Sequence, residues 1–512
     1  MSRVLTAADR TQDTVWDCDV CIIGSGAGGA VLAAGLAEQG ASVVVLEAGP
    51  HRSRADFKMR EATAMMDLYQ EAGTRSTEDL AITILQGRSV GGGTTVNWTS
   101  CFRTPDRILQ HWREVHGLSE LTPDALRPHF EAVESRLNIR EWPKELANAN
   151  NRVLLDGCAK LGWDSGPMRR NVKGCANSGY CGMGCPVDAK QAMHLTYLQD
   201  ALAAGARVQA EAAVHQLDVE GDRIVAVRAR IQPHGHPVPS GPLLTVRAKV
   251  TAVCGGAINS PALLLRSQIA ASSPVGKRTF LHPVVAVLGQ YEQPIHPWYG
   301  APQSSHSHRF IDRGPHKMGF FLEAAPLHPA LAAAALKVGG AEHAGLMAQL
   351  HRTSALLALH VDGLLPGDEG GVVTIDDSGR PRVAYPIGPQ LLEALPVAHD
   401  AMARIHLAAG AQSVLTSHTP VVSLSDEAGL GALKDAEYGA LKHGIFTAHQ
   451  MGGCTMGTDP STSVVNPKHR VHGLGNLFIV DGSVLPTALG VNPSQTIYGL
   501  AHRARRFVAE AI

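Results

Sequence analysis

Apolar residues gather in two short runs, Val20–Ile23 and Val43–Leu46, separated by glycines and by a stretch in which alanine and leucine recur at helical spacing. Short apolar runs bounded by turn signals predict buried strands, so residues 18–47 predict strand, tight turn, helix, strand. The order returns twice downstream. "VTAVCGGAINSPALLLRSQI" (250–269) repeats it, and "NLFIVDGSVLPTALGVNPSQTIYGLAHRARRFVAEAI" (476–512) closes the chain with it. In that last segment Ile497, Leu500, Ala501, Ala504, Val508 and Ile512 recur at helical spacing, and Asn492 followed by Pro493 predicts an N-cap with proline at the first helical position. Between these units, residues 205–254 alternate apolar and polar positions, as in "RIVAVRARI", with turn signals at "VEGDR" and "PHGHP". That pattern predicts antiparallel strands. Residues 326–360 predict two apolar helices split at Gly339 and Gly340, then a strand. Their Ala, Leu and Met side chains are expected either to roof a substrate pocket or to pack as ordinary core. Lys337, Glu342 and Arg352 interrupt the segment too often for a bilayer span.

The 512 residues carry a formal net charge of −1, which gives no electrostatic case for nucleic acid or an anionic membrane as partner. The first seventeen residues lack the apolar core of a signal peptide, so a cytoplasmic location is expected. Nine cysteines, an odd count, fit reduced thiols better than a disulfide framework. Cys18 and Cys21 have C-x-x-C spacing, yet they fall in the first predicted strand and are read as core. Most of the 25 histidines fall in loops or beside prolines, as in "QPHGHPVP" and "SSHSHRF", and are expected to be solvated or locally bonded.

Chemistry begins at Gly24, Gly26 and Gly29, the G-x-G-x-x-G positions. The first permits the turn, the second lets a pyrophosphate approach the backbone, and the third lets the helix pack on the strand. Phosphate then meets the free N–H groups and positive end of the helix. Glu47 follows at the distance expected for an acid that bonds an adenosine ribose. "LQGRSVGGGTTVNWTSCFRTP" (85–105) is irregular across Gly91, Gly92 and Gly93, where backbone can lie against a ligand, with threonines and Asn97 adding donors. Asp481 follows an apolar strand, placed for a second polar contact. Glycine segments this far apart point to one large dinucleotide touched by distant parts of the chain.

These four ordered motifs, the dinucleotide turn, "GRSVGGGTTVNW", "CGGAINSPALLL" and "HQMGGCTMG…NLFIVDGSVLPTALGVNPSQT", resemble the glucose-methanol-choline (GMC) flavoprotein oxidoreductases over nearly the whole chain. The resemblance implies an α/β (α+β) fold: a Rossmann-like FAD domain assembled from residues 14–120, 195–290 and 440–512, and a substrate domain, 121–194 and 291–439, with a large antiparallel sheet covered by helices. It implies FAD held non-covalently, since the stretch at 91–98 has no histidine to attach it. Gly28, Arg88, Gly92, Gly93, Thr94 and Val214 join Gly24, Gly26, Gly29, Glu47, Asn97, Asp481 and Asn492 as cofactor-binding positions. His449 is carried over as the base and Asn492 as the group that orients the alcohol oxygen. Asn492, where glucose-oxidase-like members carry a second histidine, makes the site look more like the cholesterol-oxidase and long-chain alcohol-oxidase branches.

The expected reaction removes a hydride and a proton from a primary or secondary alcohol, and histidine titrates near working pH. Oxygen, a quinone or a protein remain open as electron acceptor. A hydroxynitrile-lyase-type enzyme that keeps FAD, or a non-catalytic flavin-binding protein, are the alternatives. "GCANSGYCGMGCPVDAKQ" places Cys175, Cys181 and Cys185 within eleven residues. It is read as a structural loop, with an iron–sulfur cluster or a zinc site drawing on His194 as competing readings.

Overall fold

In the computed structural model, which describes residues 3–235, 241–269 and 274–512, the elements that place the site are, in chain order, β1 (Thr14–Ile23), α1 (Ala27–Ala37), β2 (Val43–Leu46), α2 (Ala149–Lys160), β3 (Arg207–Gln209), β4 (Ala212–Glu220), β5 (Arg223–Ile231), β6 (Leu243–Val253), α3 (Gly256–Arg266), β7 (Val284–Gln290), β8 (Ser305–Ser307), β9 (Phe320–Ala324), β10 (Thr353–His360), α4 (Pro389–Ala408), β11 (Ser413–Thr416), β12 (Ile445–Thr447), β13 (Leu477–Ile479) and α5 (Ser494–Ala509). The mixed α/β class expected from the sequence holds. One sheet runs β3-β2-β1-β6-β5-β4, with β13 added on β6. Its β3, β2, β1, β6 and β13 are mutually parallel, whereas β6, β5 and β4 form the antiparallel meander that the alternating pattern predicts. β1 and β2 end in continuous apolar runs because α1 and its neighbours cover the sheet, as parallel strands require.

The carboxyl ends of β1, β6 and β13 meet along one edge, the place where ligands bind in open α/β sheets. Two glycines make that convergence possible. Gly24 adopts φ +107°, and a Cβ there would lie 2.3 Å from the Cys254 carbonyl oxygen. A Cβ on Gly28 would lie 1.7 Å from the Val480 oxygen, so the chain leaving β13 can run directly over the start of α1.

The second sheet is antiparallel and runs through β11, β7, β10, β9 and β8, with β12 paired to β7. Alternate residues of a strand face opposite ways, and β10 uses this fully. Leu356 and Ala358 pack against Ala394, Ala398 and Met402 of α4, while Leu357 and Leu359 turn to the other side, toward the site.

Several expectations are corrected here. The helices Pro329–Ala335 and Gly340–Ala348 form as predicted, but neither lines the site cavity and, of their residues, Ala332 alone is buried. Leu336 and Leu346 join Leu288, Leu327 and Leu415 in a separate outer cluster. Several histidines are buried rather than solvated: His282 and His469 in loops, His360 at the end of β10 and His399 and His406 in α4 are fully buried, four of them with a ring nitrogen on a main-chain carbonyl. Of the "PHGHP" turn, the residues after Gly235 lie outside the described residues. Cys21 is core, while Cys18 is only partly buried. Among the described residues no helix is long and apolar enough to cross a membrane.

Candidate active site

A cavity of about 1090 Å³ extends from the start of α1 to His449, just above the ~300–1,000 Å³ usual for ligand sites. At one end Gly24, Gly26 and Gly28 line it. Gly29 faces away, its Cβ position 2.0 Å from the Gly24 oxygen. α1 starts after Gly26 with no side-chain cap, so its first N–H groups are left for a ligand. Glu47, Arg88 and Val214 line the adjoining wall, and Gly92, Gly93, Thr94 and Asn97 cross the middle. Asn97 Oδ1 is buried beside Tyr498. An uncapped helix start and glycine backbone on two sides together fit the dinucleotide that the sequence motifs imply.

The two acids sit where expected but are engaged differently. Glu47 Oε2 accepts from the Ser25 N–H and hydroxyl, and Oε1 from the Gly49 N–H. Asp481 Oδ2 accepts from the Gly256 N–H and from Ser260, and Oδ1 from the Ser483 N–H and hydroxyl. Both line the cavity, and both brace the turns that end the parallel strands.

At the other end stand His449 and Asn492. β12 delivers His449, whose N–H donates to Thr447 Oγ1. Asn492 does not cap α5 as predicted: Pro493 takes the cap position with no side-chain bond, and the helix begins at Ser494. A tertiary contact outcompetes the local signature, because the Asn492 amide lies 3.3 Å from His449 Nε2. His449 Nδ1 is 3.2 Å from His282 Nδ1, and His282 Nε2 accepts from the Gly490 N–H at 3.1 Å. Burial lowers the His449 pKa to about 4, so the ring is neutral at working pH. Val284, Leu357, Leu359 and Phe446 give this end an apolar wall, with Ser100 and Gln303 as its polar corner.

The sequence reading missed His282, Gln303 and Glu323. His282 adopts φ +45°, a left-handed conformation costly for a non-glycine residue. Asp362 holds it there, accepting from the Leu281 and His282 N–H groups. Nothing in "TFLHPVVAV" announces this. Glu323 did carry a signal, being a lone acid in the apolar strand "FFLEA", every residue of which is buried.

The cysteine loop lies behind the glycine segment. Buried Lys190 donates to the carbonyls of Thr95, Asn97 and Cys181, and desolvation lowers its pKa to about 8. His194 turns to Thr95, with Nδ1 3.4 Å from Oγ1. Among the described residues no group of three or more His, Cys, Asp or Glu is arranged to hold a metal ion. Lys190→Met leaves those carbonyls unpaired at about 1–3 kcal/mol each and should lower the melting temperature by several degrees. A differential scan matching the wild type would show that the loop does not depend on this lysine.

Family models described as GMC oxidoreductase match residues 65–284 and 366–501, and one described as NAD(P)-binding Rossmann-like domain matches 22–54. An uncharacterized GMC-type oxidoreductase of Mycobacterium tuberculosis is 32% identical over 505 residues, covering 97% of this chain and 76% of the relative. A long-chain-alcohol oxidase of Arabidopsis thaliana is 30% identical over 510 residues, 95% and 67% respectively. Among solved structures, pyridoxine 4-oxidase from Mesorbium loti superposes with a TM-score of 0.70 at 19% identity, covering 96% of this chain and 99% of that one. Formate oxidase of Aspergillus oryzae gives 0.70 at 15%, covering 97% and 98%. Both of these share the fold.

Proposed function

The chain belongs to the GMC oxidoreductase family, and on that premise we propose that it oxidises an apolar or aromatic alcohol to the aldehyde or ketone, with His449 taking the hydroxyl proton. It is an FAD-dependent oxidoreductase acting on CH–OH donors. FAD, held non-covalently along the glycine-lined part of the cavity, supplies the acceptor for the hydride. The observation that carries the reading is the His449–Asn492 pair, 3.3 Å apart and open to the same cavity as the start of α1.

An alcohol oxygen placed against both groups can donate its proton to Nε2 while the carboxamide fixes the carbon that loses hydride. Burial keeps the imidazole neutral, so a ring-nitrogen lone pair is available to take the hydroxyl proton. Val284, Leu357, Leu359 and Phe446 exclude water from the reacting carbon and suit an alkyl or aryl group. Relatives named as alcohol oxidases favour oxygen over a quinone or protein as the final acceptor, so peroxide should accumulate during turnover. In steady-state assays 1-hexanol or benzyl alcohol should exceed glucose in kcat/KM by at least tenfold. A preference for glucose would rule out the apolar-substrate reading.

A further inference from the structure

Glu323 is fully buried in β9. Its cross-strand neighbours are Leu357 on β10 and His306 on β8. Gln303 Nε2 donates to Glu323 Oε2 at 2.5 Å, and Ser100 Oγ donates to Gln303 Oε1 at 2.8 Å. The carboxyl also meets the Asn492 side chain. Two buried oxygens are left without partners, Glu323 Oε1 and Asn492 Oδ1. Both are acceptors, so nothing satisfies them unless a proton is added between them or the amide turns over.

Each remedy has a consequence at His449. With Glu323 protonated, its O–H donates to Asn492 Oδ1, and Asn492 Nδ2–H stays directed at His449 Nε2, which must then hold a lone pair. With Glu323 ionised, the amide turns, Nδ2–H donates to the carboxylate and Oδ1 faces His449, which favours an N–H at Nε2. We infer that Glu323 is a positioning residue that sets, through the Asn492 amide, whether His449 offers the alcohol a lone pair or an N–H. This rests on the reading of His449 as the proton acceptor.

The opposite end of the chain of bonds pulls the other way. A backbone N–H can only donate, so Gly490 requires a lone pair at His282 Nε2 and a proton at its Nδ1. Donation from there to His449 Nδ1 leaves the His449 proton on Nε2. The two ends therefore compete for the single His449 proton, and a proton on Glu323 favours the setting in which Nε2 accepts. The groups packed around that carboxyl are uncharged: Ser100, Gln303, Asn492, and His306, whose pKa burial lowers to about 3. Desolvation raises the Glu323 pKa to about 8, opposed by the contacts with Asn492 and Gln303. A group so raised keeps its proton through neutral pH and loses it as pH climbs past about 8.

The test compares wild type with Glu323→Gln, whose amide N–H₂ takes the place of the proton toward Asn492 and whose carbonyl accepts from Gln303. For the FAD-loaded proteins with 1-hexanol, wild-type kcat/KM should fall about tenfold per pH unit above about 8, and the E323Q profile should lack that alkaline limb. Independently of turnover, infrared spectra should show a protonated-carboxyl C=O band in the wild type that fades with the same midpoint and is missing from E323Q. An E323Q profile with the wild-type limb, or no titrating band, would overturn this step alone. A near-normal rate in His449→Ala would overturn the reading beneath it.

Discussion

His449→Ala should lower kcat for the alcohol by roughly a hundredfold or more, the scale of a lost general base, while the yellow cofactor stays bound. The two effects separate because His449 stands at the opposite end of the cavity from the start of α1 and braces none of the turns that Glu47 and Asp481 hold. What the substitution removes is an acceptor at the moment of C–H cleavage, so the loss falls on kcat as well as on kcat/KM. Steady-state rates and the flavin absorbance of the purified variant check both halves. A near-normal rate with full flavin would mean that the hydroxyl proton leaves by another route.

Gly26→Ala should have the converse effect, folding normally but losing FAD. A Cβ at Gly26 meets only the Gly92 Cα, at 3.7 Å. The protein has room for it, and the space it enters is the cavity. Pushing an anionic diphosphate off even one helix N–H forfeits about 1.5–3 kcal/mol for a charge-assisted bond, roughly a ten- to hundredfold weaker complex. Flavin content after dialysis, with a melting curve of the apoprotein, measures it. Gly28→Ala is the contrast: its Cβ would collide with the Val480 oxygen, so solubility and melting temperature fall together with flavin. Flavin content in Gly26→Ala equal to wild type would place the diphosphate elsewhere.

How far the sequence announces these features depends on how local each constraint is. The segment from Gly24 to Glu47 is readable because turn, helix start and acid are set by near neighbours in the chain. His449 and Asn492 are readable only as members of an ordered set of motifs. Their partners are not: His282 meets Gly490 across more than two hundred residues, and Glu323 acquires its role from strands that flank β9 in space. The Asn492-Pro493 signature was sound as local chemistry, yet a contact from β12 claimed the amide first. The apolar composition at 329–348 carries a true signal of helix but not of burial, since Ala332 alone of the two helices' residues is buried. Loop histidines such as His469 looked solvated because a fold can bring a main-chain carbonyl, here that of Ile479, to a residue that local sequence leaves exposed.

The central claim is that one cavity brings an alcohol, the flavin and the His449–Asn492 pair together. Anaerobic mixing of the flavin-loaded protein with 1-hexanol or benzyl alcohol, following the oxidised-flavin band, addresses it most directly. The account predicts rapid bleaching by an alcohol in the wild type and bleaching slowed roughly a hundredfold in His449→Ala. A flavin that no alcohol reduces, or one reduced equally fast in both proteins, would contradict it.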